Sequence, residues 1–296
     1  MRKLFFVAAA AAMLALAVPS AVGATTTTEQ VTPNTLQVDA THWYFYNDTT
    51  DVASTAEDPA HYKFVTGPGT PPAGVGSVFF HDDTPNTNQR WDINTRRYAG
   101  TPLSSLTSLK FNTYEPAGNA PGHAIFLNFD VSFGVTPPTG YQGRLFFVPT
   151  ENGAVLPDTW QEWDTLGSTA LWGWSHYASN GGHWPDGNTA PRRTWADIVA
   201  SFPSATMDNS AAPGFGQLVF RAGEPYPAGF TGYLDKVTAG VGGNDTVFDF
   251  EPLIGPPTSK DQCRDGGWQQ FNNPPFKNQG DCVSYVSTGG KNGGGG

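Results

Sequence analysis

Between residues 123 and 133 the chain reads HAIFLNFDVSF, with Ile125, Leu127, Phe129, Val131 and Phe133 at every second position. Side chains alternate across a strand, so all five project to one face, whereas a helix would scatter them. An apolar face of that size must be covered, which commits the chain to a sheet with a buried side. Shorter runs of the same kind recur at 43–46, 62–65, 75–80, 90–94, 106–114, 144–148, 216–221, 232–237 and 246–250. Gly/Pro clusters such as GPGTPP at 67–72 separate them. About ten short strands with turn signals and no alternating helices predict an all-β fold, two antiparallel sheets packed as a jelly-roll sandwich.

One helix interrupts the pattern. Thr194 is placed to cap it, Asp197 completes a capping box and Pro203 stops it. Trp195, Ile198, Val199 and Phe202 share one face, so this helix is expected to plug an end of the sandwich with Trp195 in the core.

The ends of the chain have a different character. Arg2 and Lys3 precede an apolar run at 4–18, Pro19 breaks it, and Val22, Gly23 and Ala24 fit a cleavage site. Residues 1–24 therefore read as a secretory signal peptide, which predicts a secreted, extracellular protein. The Thr-rich stretch 25–40 reads as a flexible leader whose last residues join an edge strand. The β-sandwich is expected over 41–252, a Pro-rich linker over 253–260, a small unit over 261–288 and a Gly-rich tail over 289–296. In an exported chain the two cysteines, Cys263 and Cys282, are expected to pair and staple that small unit.

The formal charge is −10, and two units more negative once Arg2 and Lys3 are removed. Such a surface repels phosphate backbones, which excludes nucleic acid as a partner class. No segment after the signal peptide is apolar enough to span a bilayer. A monomer is expected. Aromatic residues at 13% argue against disorder despite 35 Gly and 25 Pro.

Residues 158–184 hold five of the nine tryptophans, Trp160, Trp163, Trp172, Trp174 and Trp184, among glycines and serines. Sugar rings need flat apolar faces with amide, carboxylate or imidazole groups nearby. Trp172, Trp174, His176, Tyr177, His183 and Trp184 are accordingly the candidate ligand platform. Trp172, Trp174 and His176 alternate and would share one face, which points outward in this reading and inward if tryptophan burial prevails. The spacing of Trp160 and Trp163 sends one inward and the other outward. The catalytic alternative rests on Glu162 and Asp164, two carboxylates on one strand face as a glycosidase would use. The histidines show no metal-ligand spacing, and no G-x-S-x-G motif is present.

Two parts of the chain resemble known groups. Cys263, Gly266, Gly267 and Trp268, with Phe271, the run FKNQG at 276–280, Cys282 and Val283, resemble a C-terminal segment of exported bacterial proteins. The stretches FVTGP at 64–68, PPAGVGS at 71–77, YAGTPL at 98–103, TWQEWD at 159–164, GYLDKVT at 232–238 and DFEP at 249–252 resemble exported bacterial jelly-roll modules. At the level of fold that group is similar to carbohydrate-binding modules and concanavalin-like lectins. The resemblance implies export, a sandwich fold and, on a late strand, an aspartate that holds a structural calcium, which here would be Asp235. An aspartate beside Lys236 also fits a solvated position, and no other cofactor is required. The sequence thus predicts a secreted non-catalytic module that binds a polysaccharide or cell-surface glycan. A jelly-roll glycan hydrolase and a purely structural extracellular protein are the alternatives.

Overall fold

The computed structural model describes residues 24–82, 89–119, 123–134, 142–175, 191–209, 218–223 and 229–291. The alternating runs become strands. In chain order these are β1 (Thr25–Val31), β2 (Trp43–Asn47), β3 (Val52–Ser54), β4 (Tyr62–Thr66), β5 (Gly76–Asp82) and β6 (Arg90–Thr95). β7 (Leu106–Tyr114), β8 (Phe126–Ser132), β9 (Arg144–Phe147), β10 (Trp160–Asp164) and β11 (Leu171–Trp174) follow. The series closes with β12 (Arg193–Thr194), β13 (Thr206–Met207), β14 (Leu218–Gly223), β15 (Phe230–Val241) and β16 (Asn244–Phe250).

They form the expected two-sheet sandwich. In the first sheet β15 is central, with β5 and then β4 on one side of its first half and β16 and then β1 on the same side of its second half. β7 and then β10 lie on its other side. The second sheet runs β12-β11-β9-β8-β14-β6-β2-β3, with β13 on β8. Ile125, Leu127, Phe129, Val131 and Phe133 are all buried, as their alternation requires. Trp43 of the second sheet meets Phe248 and Phe250 of the first at 5.1 and 5.2 Å, edge-on, so aromatic rings bridge the two layers. Each such fully buried ring contributes on the order of 1.5–3 kcal/mol.

One expectation about the ends is corrected. The start of the leader is not flexible: Thr25–Val31 forms β1, parallel to β16 from Thr25 opposite Asn244 to Val31 opposite Phe250. Without β1, the outer side of β16 would be an open sheet edge. Arg97 also holds the strand, donating to both carboxylate oxygens of Glu29 at 2.7 and 3.0 Å.

The expected helix is α2 (Trp195–Ser201), which follows α1 (Pro149–Asn152) and precedes α3 (Gln279–Ser287). Thr194 Oγ1 accepts the Asp197 amide at 3.2 Å, and the Trp195 ring lies 5.3 Å from that of Trp172 in the core. Cys263 and Cys282 are bonded, and with buried Phe271 and Phe276 they make a second small core under α3. Asn272 joins this unit to the end of the sandwich, donating to Pro252 O and accepting from the Ile254 amide, both at 2.8 Å.

The outer face of the second sheet carries a buried ionic network. Arg221 forms a two-pronged pair with Asp92 at 2.7 Å and also reaches Asp48 at 2.8 Å. Asp48 further accepts from Arg90 and Arg144, and Arg144 reaches Asp130 at 3.0 Å. Burial would raise the Asp48 pKa, but the Arg144 hydrogen bonds and the neighbouring guanidinium charges hold it down at about 2. Each buried charge in this set is paired, the condition for tolerating it there.

Candidate functional site

The tryptophans that suggested a platform divide between two places. Trp172 and Trp174 on β11 are 0% and 1% exposed, so the expectation that they form an outer platform is corrected. Both do share a face, but it points inward, where Trp172 meets Phe129 and Phe147 and Trp174 meets Phe133. Their indole N–H groups donate to Thr165 O at 2.8 Å and Gln142 O at 2.7 Å. With its one polar atom satisfied, a tryptophan is buried without penalty. His176, Tyr177, His183 and Trp184 lie outside the described residues.

Strand β10 separates the other two, as expected. Trp163 points into the core and donates to Thr113 Oγ1 at 3.0 Å, while Trp160 is partly exposed on the outer face. The register of the first sheet then does what no single segment reveals. Trp160 lies opposite Tyr114 on β7, Tyr114 opposite Tyr233 on β15, Tyr233 opposite Phe79 on β5, and Phe79 opposite Lys63 on β4. The four rings touch in sequence, with centroids 5.5 Å apart from Phe79 to Tyr233, 5.9 Å to Tyr114 and 5.6 Å to Trp160. Successive planes are inclined by 61°, 86° and 56°, so ring faces and ring edges alternate along the row. Lys63 Nζ ends it, 5.0 Å from the Phe79 centroid. All five side chains are partly exposed. Cross-strand pairs of this kind stabilise a sheet by roughly 0.2–1 kcal/mol each.

Two rims border the row. On one side runs the loop 67–75, whose Pro68 carbonyl accepts the Trp160 indole N–H at 2.9 Å. Its conformation needs glycine at 67, 69 and 74, all with positive φ. Carboxylates anchor the loop from below: Ala73 N donates to Asp235 Oδ2 at 2.9 Å, and Val75 N to Glu251 Oε1 at 2.6 Å. On the other side His81 Nδ1 lies 2.9 Å from Thr231 Oγ1, and Asn119 is held by the Thr231 backbone at 2.6 and 2.9 Å. Asp158, with φ 53°, accepts from Tyr114 Oη at 3.3 Å and from the Ala117 amide at 3.2 Å. Beneath Asn119, burial pushes the Glu115 carboxyl well above the usual carboxylate range, against the Ile125 amide that donates to it.

Asp235 does not stand as a calcium ligand would. It is fully buried where β15 changes partner, from β5 through Leu234 to β16 from Val237, with Lys236 at φ 47° between them. Oδ1 accepts the Phe250 amide at 3.1 Å and Oδ2 the Ala73 amide at 2.9 Å. Amide hydrogens thus point at both oxygens, whereas a calcium site turns carbonyl and carboxylate oxygens toward a common centre. Among the described residues no group of three or more His, Cys, Asp or Glu comes together to hold a metal. The residues do not fit the ion; Asp235 instead ties the ends of two strands and the loop together. Burial raises its pKa to about 8, against the three backbone amides that favour the charged form.

Glu251 is likewise raised, to about 7, by burial and by the neighbouring Asp249, while backbone amides pull the other way. Among the described residues Asp249 Oδ1 is buried with no hydrogen bond, although the Asp249 carboxyl lies against Glu251 and Gln30. The far side of this loop lines a cavity of about 450 Å³ against the C-terminal unit, bordered by Gln30, Glu251, Asp265, Gln269 and Gln270.

Glu162 and Asp164 lie on the outer side of β10, two and four residues beyond Trp160, with Lys110 Nζ at 3.8 and 2.9 Å from them. The hydrogen bond to Asp164 raises the Lys110 pKa, so the ammonium is held charged.

The chain shows no significant match to any protein-family model, to any curated protein or to any solved structure, so the aromatic row and its two rims are the ground on which function is argued.

Proposed function

We propose that this protein is a secreted, non-catalytic module that binds a carbohydrate or another extracellular polymer through the row of Phe79, Tyr233, Tyr114 and Trp160. The observation that carries this reading is the register that lines four partly exposed aromatics across four adjoining strands. Edge and face contacts hold the rings in place, so little side-chain freedom is lost on binding. Hydroxyl partners stand along one rim in His81, Asn119 and Asp158, and a glycine-shaped loop walls the other. No helix among the described residues is long and apolar enough to cross a membrane, and the C-terminal unit carries a disulfide. Both are compatible with an extracellular location, and secretion as a monomer is part of the proposal. The reading calls on no cofactor.

The test is retention of the mature protein on a panel of insoluble polysaccharides, with Trp160→Ala and Tyr114→Ala beside the wild type. Binding lost in both variants, with unchanged far-UV circular dichroism, supports the proposal; wild-type protein retained by nothing on the panel removes it. The structural-protein alternative draws on the burial of Trp43, Trp172 and Trp174, which spend most of the aromatic density on the core.

A further inference from the structure

The same row carries information about the class of its ligand. It runs at right angles to the strands, from β4 at one edge to β10 at the other, and among the described residues neither strand has an outer neighbour. Five strands spaced by ~4.8 Å give it a length of roughly 19 Å. The rims lie along its sides, so nothing described in the structure caps its ends. A ligand seated here is an extended chain passing across the sheet, not a single sugar held at its terminus.

Charge narrows the chemistry. Among the described residues, Lys63 stands at one end of the row and Lys110 beside its far strand. Lys63 Nζ donates to Pro59 O at 2.9 Å beside the Phe79 ring, and Lys110 is shared by Asp164 and Glu162. Facing them are the carboxylates of Asp158, Glu162 and Asp164, and the whole chain carries −10. Aromatic faces are themselves electron-rich and repel anions. A carboxylate or sulfate on every ligand ring would find one ammonium, Lys63 at one end of the row, while the rings over Tyr114 and Trp160 would meet the carboxylates of Asp158 and Glu162.

We infer that the ligand of the aromatic row is a linear glycan bearing no anionic groups, bound lengthwise across the strands. This inference rests on the binding reading above. Hydroxyl groups along one edge of the glycan meet His81, Asn119 and Asp158, and the CH-rich ring faces lie on the exposed faces of the aromatics.

The test uses matched pairs of soluble polysaccharides, each an uncharged or amino-bearing glycan and the same glycan with its primary alcohols oxidised to carboxylates. Affinity electrophoresis of the full mature chain reads both. The expected result is binding to at least one parent glycan, weakened about tenfold or more by oxidation as like charges meet. Trp160→Ala should abolish that binding, and Glu162→Lys should restore part of the affinity for the oxidised form. An oxidised glycan bound as well as or better than its parent overturns this inference and leaves the binding proposal standing. Failure to bind any member of any pair removes the binding proposal, and this inference with it. Glu162→Lys without effect on the ratio of the two affinities also counts against the charge argument.

Discussion

Tyr114 and Tyr233 stand directly opposite each other on adjoining strands, their rings 5.9 Å apart and inclined by 86°, on the outside of the first sheet. The pair is the middle of the aromatic row and fixes its direction. The binding proposed for this protein depends on such contacts being made outside the core, where the rings stay open to a partner.

Replacing aromatics inside and outside the sandwich should therefore give opposite results. Trp172→Ala removes a fully buried ring and is expected to cost about 3–5 kcal/mol. Trp160→Ala removes a partly exposed ring and one hydrogen bond to Pro68 O, with an expected cost of about 1 kcal/mol. Urea titrations followed by circular dichroism measure both. Equal losses would mean that Trp160 is as much a part of the core as Trp172.

The loop wall makes a prediction about glycine. A Cβ at Gly74 would lie 1.6 Å from Glu251 Oε1, and the residue has φ +49°. Gly74→Ala should cost about 1–3 kcal/mol, because both the strained backbone and the overlap count. At Gly69, with φ +56° but nothing within 4 Å, only the backbone term applies, and alanine should cost about 1 kcal/mol. Thermal melts of the two variants give the comparison, and a milder effect at 74 than at 69 would contradict the packing of Glu251 against this loop.

Stability should fall as the solution becomes alkaline. Burial raises Asp235 to about 8 and Glu251 to about 7, above the unfolded values of about 4. The folded state thus holds these protons more tightly, so their contribution is fully present below about pH 4 and is lost as pH rises through 7 to 8. Asp48 acts in the other direction. Its depressed pKa contributes stability above about pH 4 that is lost as pH falls toward 2. Urea midpoints should decline as pH rises from about 4 to 8, level off above that, and decline again as pH falls below about 4. Glu251→Gln keeps an acceptor for the Val75 and Gly76 amides and should flatten the alkaline decline. An unchanged slope in that variant would place the titrating group elsewhere.

The C-terminal unit should come apart without the sandwich. Its bridge joins positions 19 apart and its small core is separate from the main one, so reduction should cost that unit about 3 kcal/mol on the chain-entropy argument. Hydrogen exchange before and after reduction should show protection lost in α3 and retained in β8 and β14. Loss of protection in the central strands would show that the two units fold as one.

Much of the fold was legible because it depends on local periodicity. The alternation from Ile125 to Phe133 names an inward face, and Thr194, Asp197 and Pro203 mark the helix. The pairing of β1 with β16 was not legible, since TTTTEQV has no apolar alternation and becomes a strand only because a neighbouring edge accepts it. The aromatic density around Trp172 and Trp174 was visible, but its direction was not: carbonyls of Gln142 and Thr165, distant or unremarkable in sequence, make their burial possible. The candidate site was the least legible part. Phe79, Tyr114, Trp160 and Tyr233 each look like ordinary strand residues, and only the register of three pairings brings them into one row. The odd spacing of Trp160 and Trp163 was the one signal that pointed outward.

The most direct measurement is intrinsic fluorescence with acrylamide quenching, made on the wild type and on Trp160→Phe, with and without the polysaccharide that retains the protein. The account predicts that the polymer shields a quenchable tryptophan in the wild type and that this shielded component is missing from Trp160→Phe. Shielding of the same size in both proteins would place the contact away from the row and contradict the account.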